Sequence, residues 1–484
     1  MVEDQEGTTR DSSSDVSQAI ERAWEALDAD RLQGLIAAMV DIPSPTGDEA
    51  ELARFLTNEL TASGLESRYQ EIDDRQANAI GRLNGDGTGP DLLLYAPIDT
   101  LTAGTEEEDL PHVGDELRRD MRCESQVIGD RVMGLGASNP KGHAACVIAA
   151  AEAIASAGID LRGSLLVGLG AGGMPSNSRP GVTRANTGQG NGCSFMLEQG
   201  LHTDYAILAK PGWSVAWEEV GLCWFTVRVR GTYNYVGSRQ RLPYRNAVVD
   251  ASRLILALEK WFPFYTERNT SGLVAPQGHV ASIRGGWDRT AALSPAVCEF
   301  TLDLRISPRT TPVEARRQFA EAITHALEDL GDVECSWDMN LSIPGSSTDP
   351  DNWIVRSCTW AWEAAEQRAH QIDEAARSTS GATDCNILRN RGIPTARIGM
   401  PRVANDDGSE VRLRTRSERG VRRQHDGPVE GPGGRRDRHL PPQPRRARAC
   451  PAGTSRSSGS AHRHTYQPTA HIQPRKRLGR GSRP

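Results

Sequence analysis

Residues 91–151 constrain the fold more than any other stretch of this chain. DLLLYAPIDT is a short apolar run ending in Asp99, and after an acidic loop a glycine-punctuated turn from Gly134 to Gly142 opens a helix of small residues at His143. An apolar run of that length without alternation reads as a strand buried on both faces. GSLLVGLGAGG and DYAILAKPG repeat the step from buried strand into glycine turn. Strands of this kind require helices above and below them, which is the order of an α/β sheet. In such sheets ligands bind where strand ends meet helix starts, so Asp99 and the 134–143 turn mark the expected site.

Helical spacing surrounds this centre. Leu32, Leu35, Ile36 and Met39 recur at helical spacing, and Leu52, Phe55, Leu56 and Leu60 share one face of a helix that stops at Gly64. SRYQEI and ANAIGRL read as further strands. The texture changes near Gly221: CWFTVRVRG alternates, Asn246–Trp261 is amphipathic, HVASIRGG and AVCEFTLDLRIS are strands, Pro312–Leu330 is a helix and ECSWDMNLSI a last strand. That β-α-β-β-α-β order predicts a small two-layer, ferredoxin-like domain at 221–344 inserted in a larger one. Helical periodicity resumes at Trp353, SGATDCNILRNRG starts another helix, and IPTARIGM is the final core strand.

Length and composition set the limits. At 484 residues the chain exceeds one ordinary core. It has no apolar run long enough to span a bilayer, and its acidic, Ser-rich start lacks the order of a signal peptide, so a cytoplasmic protein without membrane contact is expected. Nine cysteines without a C-x-x-C pair argue against a disulfide framework or zinc ribbon. Residues 1–15 are expected to be disordered. From 411 to 484 all periodicity stops, and 18 arginines plus Lys476 face only Glu418, Asp426, Glu430 and Asp437. Such a segment buries too little apolar area to fold. We read it as a disordered basic tail arising from a reading-frame slip rather than as a nucleic-acid arm, since a one-nucleotide shift over 413–440 is compatible with a helical pattern; resequencing the locus tests this.

Taken together, residues 32 to about 410 resemble the zinc-dependent aminoacylase, acetylornithine and succinyl-diaminopimelate deacylase, and carboxypeptidase superfamily. LLLYAPIDT resembles the family's LLLxGHxDT, GLGASNPKGHAA its GRGxxDxKGGxAA, RGTYNYVGSRQRLPYRNAV its GxxxHxSxPxxGxNA, and SGATDCNIL its GGxDxxxL. The resemblance implies a mixed-sheet catalytic-type α/β domain, here 16–220 and 345–410, interrupted by a lid or dimerisation domain at 221–344. It also implies amide-bond hydrolysis with two zinc ions and a glutamate general base.

Carried over residue by residue, the implied chemistry is largely missing. The first histidine ligand falls on Pro97, which has no lone pair to give; the bridging aspartate falls on Asn139; the paired glutamates fall within Gly170–Gly173; the next carboxylate falls on Lys210; and the lid histidine falls on Tyr235. Asp99, which orients the first histidine in the family, and Asp384 remain. We therefore expect no metal and no cofactor, with zinc only if the family function is retained. Lys210 is expected close to Asp99, replacing the metal charge. Asp99, Lys210 and Tyr235 are the candidate catalytic residues, and Lys141, His143, Arg245, Asn246 and Asp384 the candidate ligand-binding ones. The glycine-rich Gly170–Gly173 turn would suit an anion. The expected function is binding of an acylamino-acid-like or peptide-like ligand by a protein that has lost two-zinc catalysis. The alternatives are an active family-type amidohydrolase, and a metal-free acid-base enzyme using Lys210 and Tyr235. No nucleic-acid partner is expected, and a homodimer through the lid domain is.

Overall fold

The computed structural model describes residues 7–179, 182, 184, 186–372 and 381–401. The expected basic tail therefore lies outside the described residues. In chain order the elements are α1 (Gly7–Glu25), α2 (Ala29–Asp41), α3 (Ala50–Ala62), β1 (Glu66–Glu71), β2 (Ala77–Leu83), β3 (Leu92–Pro97), α4 (Glu106–Val113), β4 (Gln126–Ile128), β5 (Arg131–Met133), α5 (Lys141–Ser156), β6 (Leu165–Gly170), α6 (Asn191–Glu198) and β7 (Tyr205–Ala209). There follow β8 (Glu218–Glu219), β9 (Gly221–Arg230), α7 (Ala247–Asn269), β10 (Gly278–Gly285), β11 (Val297–Ile306), α8 (Pro312–Leu330), β12 (Glu334–Ile343), β13 (Ser346–Ser347), α9 (Trp353–Glu366), α10 (Cys385–Asn390) and β14 (Thr395–Ile398).

A six-stranded mixed sheet has the order β1-β2-β6-β3-β7-β14. Antiparallel pairing joins β1, β2 and β6, while β6, β3, β7 and β14 run parallel. Successive side chains of a strand point to opposite faces, and β3 shows what that does here. Leu94, Ala96 and Ile98 enter the core under α2, α3 and α5, whereas Leu93 and Tyr95 enter the core beneath α6 and α10. The absence of alternation in the sequence is explained by this double cover.

The second sheet, β10-β11-β9-β12, is antiparallel throughout. From Cys223 on the strand alternates: Cys223, Phe225, Val227 and Val229 are buried beneath α7 and α8, with Trp224 and Thr226 half-buried and Arg228 exposed on the other face. α7 is capped by Asn246, whose side chain accepts from the Val248 and Val249 amides, and α8 by Thr311, which accepts from the Glu314 amide. The chain is thus a mixed-sheet α/β fold carrying an inserted two-layer, ferredoxin-like module.

One expectation fails at the start of the chain. α1 begins at Gly7, inside the segment read as disordered. Its far end is held to α5, where Arg22 Nε donates to the Ala157 carbonyl at 3.4 Å; extending a nucleated helix backward costs far less than starting one. Among the described residues, no helix is long and apolar enough to cross a membrane.

Candidate functional site

Four parallel strands deliver their C-terminal ends to one side of the sheet, and the candidate site is built there. Asp99 follows β3, the Gly170–Met174 turn follows β6, Lys210 follows β7, Met400 follows β14, and Lys141 and His143 open α5. α10 brings Asp384 from the neighbouring loop.

Asp99 is fully buried and its carboxylate accepts three hydrogen bonds, from Thr46 Oγ1 at 2.7 Å, the Gly173 amide at 2.8 Å and the Met174 amide at 2.9 Å. Beside it lies a residue the sequence reading missed. Glu49, also fully buried, accepts from the amides of Gly47 and Gly172 and from Gln76 Nε2. Burial, then the charge of Asp99, push the Glu49 carboxyl up to about 8. The consecutive amides 172, 173 and 174 thus serve the chain's own carboxylates. The turn that suits an anion by sequence thus has its amides occupied from within the chain. The signal for Glu49 was faint, because a glutamate in a TGDE turn opening a helix looks like an ordinary helix start.

Lys210 is 6 % exposed, and its ammonium donates to Asn139 Oδ1 at 3.1 Å and approaches Met174 Sδ at 3.7 Å. The structure therefore sets it on the amide rather than hard against Asp99, whose oxygens are already taken. Burial lowers the Lys210 pKa, opposed by the charges of Asp99, Asp384 and Glu219. Asp384 is buried and accepts from the Tyr95 hydroxyl at 2.8 Å; burial raises its carboxyl to about 7, against the pull of Tyr95 and Lys210. Tyr95 is the second residue missed, a single hydroxyl inside an apolar run.

The other expected site residues have different occupations. His143 has one ring nitrogen, Nδ1, 2.6 Å from the Ser138 carbonyl and the other, Nε2, accepting from the Met400 amide at 3.3 Å. Nδ1–H thus donates to a backbone carbonyl and the Nε2 lone pair accepts from a backbone amide, so neither ring nitrogen is left over, and burial lowers its pKa to about 4, so it is neutral. Lys141 is fully buried with its ammonium on the Ile42 carbonyl at 2.8 Å, and burial brings its pKa to about 8. Arg245 pairs with Asp250 at 3.2 Å and Asn246 caps α7. Tyr235 is 61 % exposed in the loop between β9 and α7. That loop closes on its own module, through Asn234 Nδ2 donating to the Pro243 carbonyl and the Val236 amide donating to the Ala292 carbonyl. The structure accordingly joins Asp99, Lys210 and Asp384 in one electrostatic cluster, and gives Tyr235, Arg245 and Asn246 other surroundings.

A pair of zinc ions does not fit the donors present. The Asn139 amide oxygen takes the Lys210 ammonium, and Pro97 offers no donor. A Cβ at Gly173 would lie 2.4 Å from Pro97 Cβ and 3.0 Å from Asp384 Oδ2, which leaves no room for a glutamate side chain. Among the described residues no group of three or more His, Cys, Asp or Glu side chains is arranged to hold a metal ion.

No family model matches the sequence. Solved structures do match the fold. The di-peptidase Dug1p from Saccharomyces cerevisiae superposes with a TM-score of 0.61 at 10% identity, covering 80% of this chain and 92% of that one. Human carnosine dipeptidase 1 gives 0.59 at 14% identity, with 81% and 94% covered. The YXEP protein of Bacillus subtilis, described as a dinuclear metal binding peptidase from the M20 family, gives 0.51 at 14% identity, with 78% and 90% covered. These superpositions show a shared fold: this chain has the fold of these solved peptidases along 90–94% of their length.

Proposed function

We propose that this chain is a metal-free binding protein on a peptidase fold, taking an acylamino-acid-like or peptide-like ligand without two-zinc hydrolysis. The observation that carries the reading is the hydrogen bond from Lys210 Nζ to Asn139 Oδ1, because it places an ammonium and an amide at two positions where the resemblance calls for carboxylates. A cation at that place repels a metal ion and balances Asp99 and Asp384 in its stead. Ligand recognition follows from descent, since the structurally similar proteins include peptidases and dipeptidases. Acid-base catalysis through Tyr235 has less support, given that side chain's exposure.

Metal analysis of the purified protein, with hydrolysis assays on N-acetyl amino acids and dipeptides, tests the reading. Zinc well below one equivalent and no chelator-sensitive turnover are expected; zinc near two per chain with turnover abolished by chelator would overturn it. Thermal shift against the same compounds is expected to show binding without cleavage. Homodimerisation through the inserted module belongs to the same reading, and a monomer in light scattering removes that part.

A further inference from the structure

Two adjacent glutamates are buried where the chain enters the inserted module. Glu218 and Glu219 make up β8, and their side chains are almost wholly enclosed, at 3 % and 1 % exposure. A buried carboxylate without a partner is costly and two side by side repel, so each needs its own cation or donors. Adjacent residues of a strand send their side chains opposite ways, and here the partners come from different domains.

Glu218 is held by the module. It forms an ion pair with Arg309, which precedes α8, and its Oε2 accepts from the Leu273 amide, just after α7, at 2.7 Å. Glu219 is held by the α/β body. Arg397 Nη1, on β14, stands 3.0 Å from its Oε1, while its Oε2 accepts from the Thr383 hydroxyl at 2.6 Å and the Thr383 amide at 3.1 Å. Thr383 Oγ1 in turn accepts from the Cys385 amide at 3.2 Å, closing the turn that sets Asp384 at the start of α10. The rest of α10 is tied to the same segment, with Asn386 Nδ2 donating to the Val220 carbonyl at 2.8 Å and Arg389 Nη2 to the Ala216 carbonyl at 3.3 Å.

We propose that β8 is a coupler through which the orientation of the inserted module sets the position of Asp384. A displacement of the module pulls on Glu218. Glu218 and Glu219 share one short stretch of backbone, which β13 pins through Ser346 and Ser347, and Glu219 passes the displacement to Thr383 and α10. Coupling of this kind is reciprocal, so a change at Asp384 is felt at the Leu273 turn. Glu218, Glu219 and Thr383 are positioning residues in this scheme. The inference stands apart from the metal-free reading, because it concerns only how Asp384 is held.

Hydrogen–deuterium exchange of the full chain, read by mass spectrometry without added ligand, is the test. Arg309→Ala removes the module's cation from Glu218, and the Arg309 side chain is 53 % exposed, so the variant is expected to fold. Amide exchange across 383–390 is expected to quicken roughly five-fold or more, although the bonds Arg309 makes are to Glu218, Ser271 and Ser307. Arg309→Lys is expected to restore the parent rate. In the reverse direction, Thr383→Val should quicken exchange at 271–274. Arg317→Ala, which breaks an exposed pairing with Glu314 on α8, is the control and should leave 383–390 unchanged. Quickening confined to 271–274 and 305–310 in Arg309→Ala, or an equal effect at 383–390 from Arg317→Ala, overturns the proposal.

Discussion

At the scale of single residues, the site is a closed exchange of charge and hydrogen bonds. Lys210→Ala strips the Asn139 amide oxygen of its donor and removes a cation from beside Asp99 and Asp384. We expect a loss of about 1–3 kcal/mol in chemical denaturation; an unchanged midpoint would make Lys210 an ordinary rim cation. Glu49 sets a second expectation. Its carboxyl rises from 4.5 to about 8 on folding, so between those values the folded chain holds more protons than the unfolded one. Stability therefore falls as pH rises through that window and levels off above it. Asp384, raised from 3.8 to about 7, adds the same sign, and Glu49→Gln should flatten the slope. His143 acts oppositely: lowered from 6.5 to about 4, it costs stability as pH falls through that range. The positions of Asp99 and Lys210 at the ends of parallel strands were legible because buried strands run into turns there. Glu49 and Tyr95 were not, since nothing in a sequence says which carboxylate will turn inward to meet a distant amide.

At the scale of elements, the turn after β6 and the cap of α7 carry the sharpest expectations. Gly173→Ala would force a methyl to within 2.4 Å of Pro97 Cβ, and overpacking of that kind costs about 1–3 kcal/mol, read as a lower denaturation midpoint. Asn246→Ala should cost about 1 kcal/mol of stability through loss of the α7 cap while leaving ligand affinity unchanged, which distinguishes capping from ligand contact. Elements with a buried face were readable from periodicity alone: Pro312–Leu330 and Glu334–Ile343 span the residues their patterns predict. α4 was hidden because its first turn is all acidic, it contains Pro111, and the residue it buries is Asp109 rather than an apolar one. β4 and β5 are short and largely exposed, and exposure erases the alternation by which a strand is recognised.

At the scale of the whole molecule, fold and site chemistry are read from different parts of the chain. Motif order and strand pattern point to a superfamily fold that solved peptidases share, while the side chains at the implied metal positions form a different network. The inserted module is joined to the rest by a ribbon in which β8 and β13 pair antiparallel, Ser346 opposite Glu219 and Ser347 opposite Glu218. Asn386 fastens both sides, donating to the Val220 carbonyl and bonding to Ser346 Oγ at 2.6 Å. The two ends of the module therefore lie as close as the ends of a hairpin, and a tight turn can bridge them. The module behaves as a cassette: replacing 221–344 with Asn-Gly should leave a soluble, cooperatively unfolding α/β body, checked by circular dichroism and thermal melting, onto which a foreign two-layer domain can be grafted at the same ribbon.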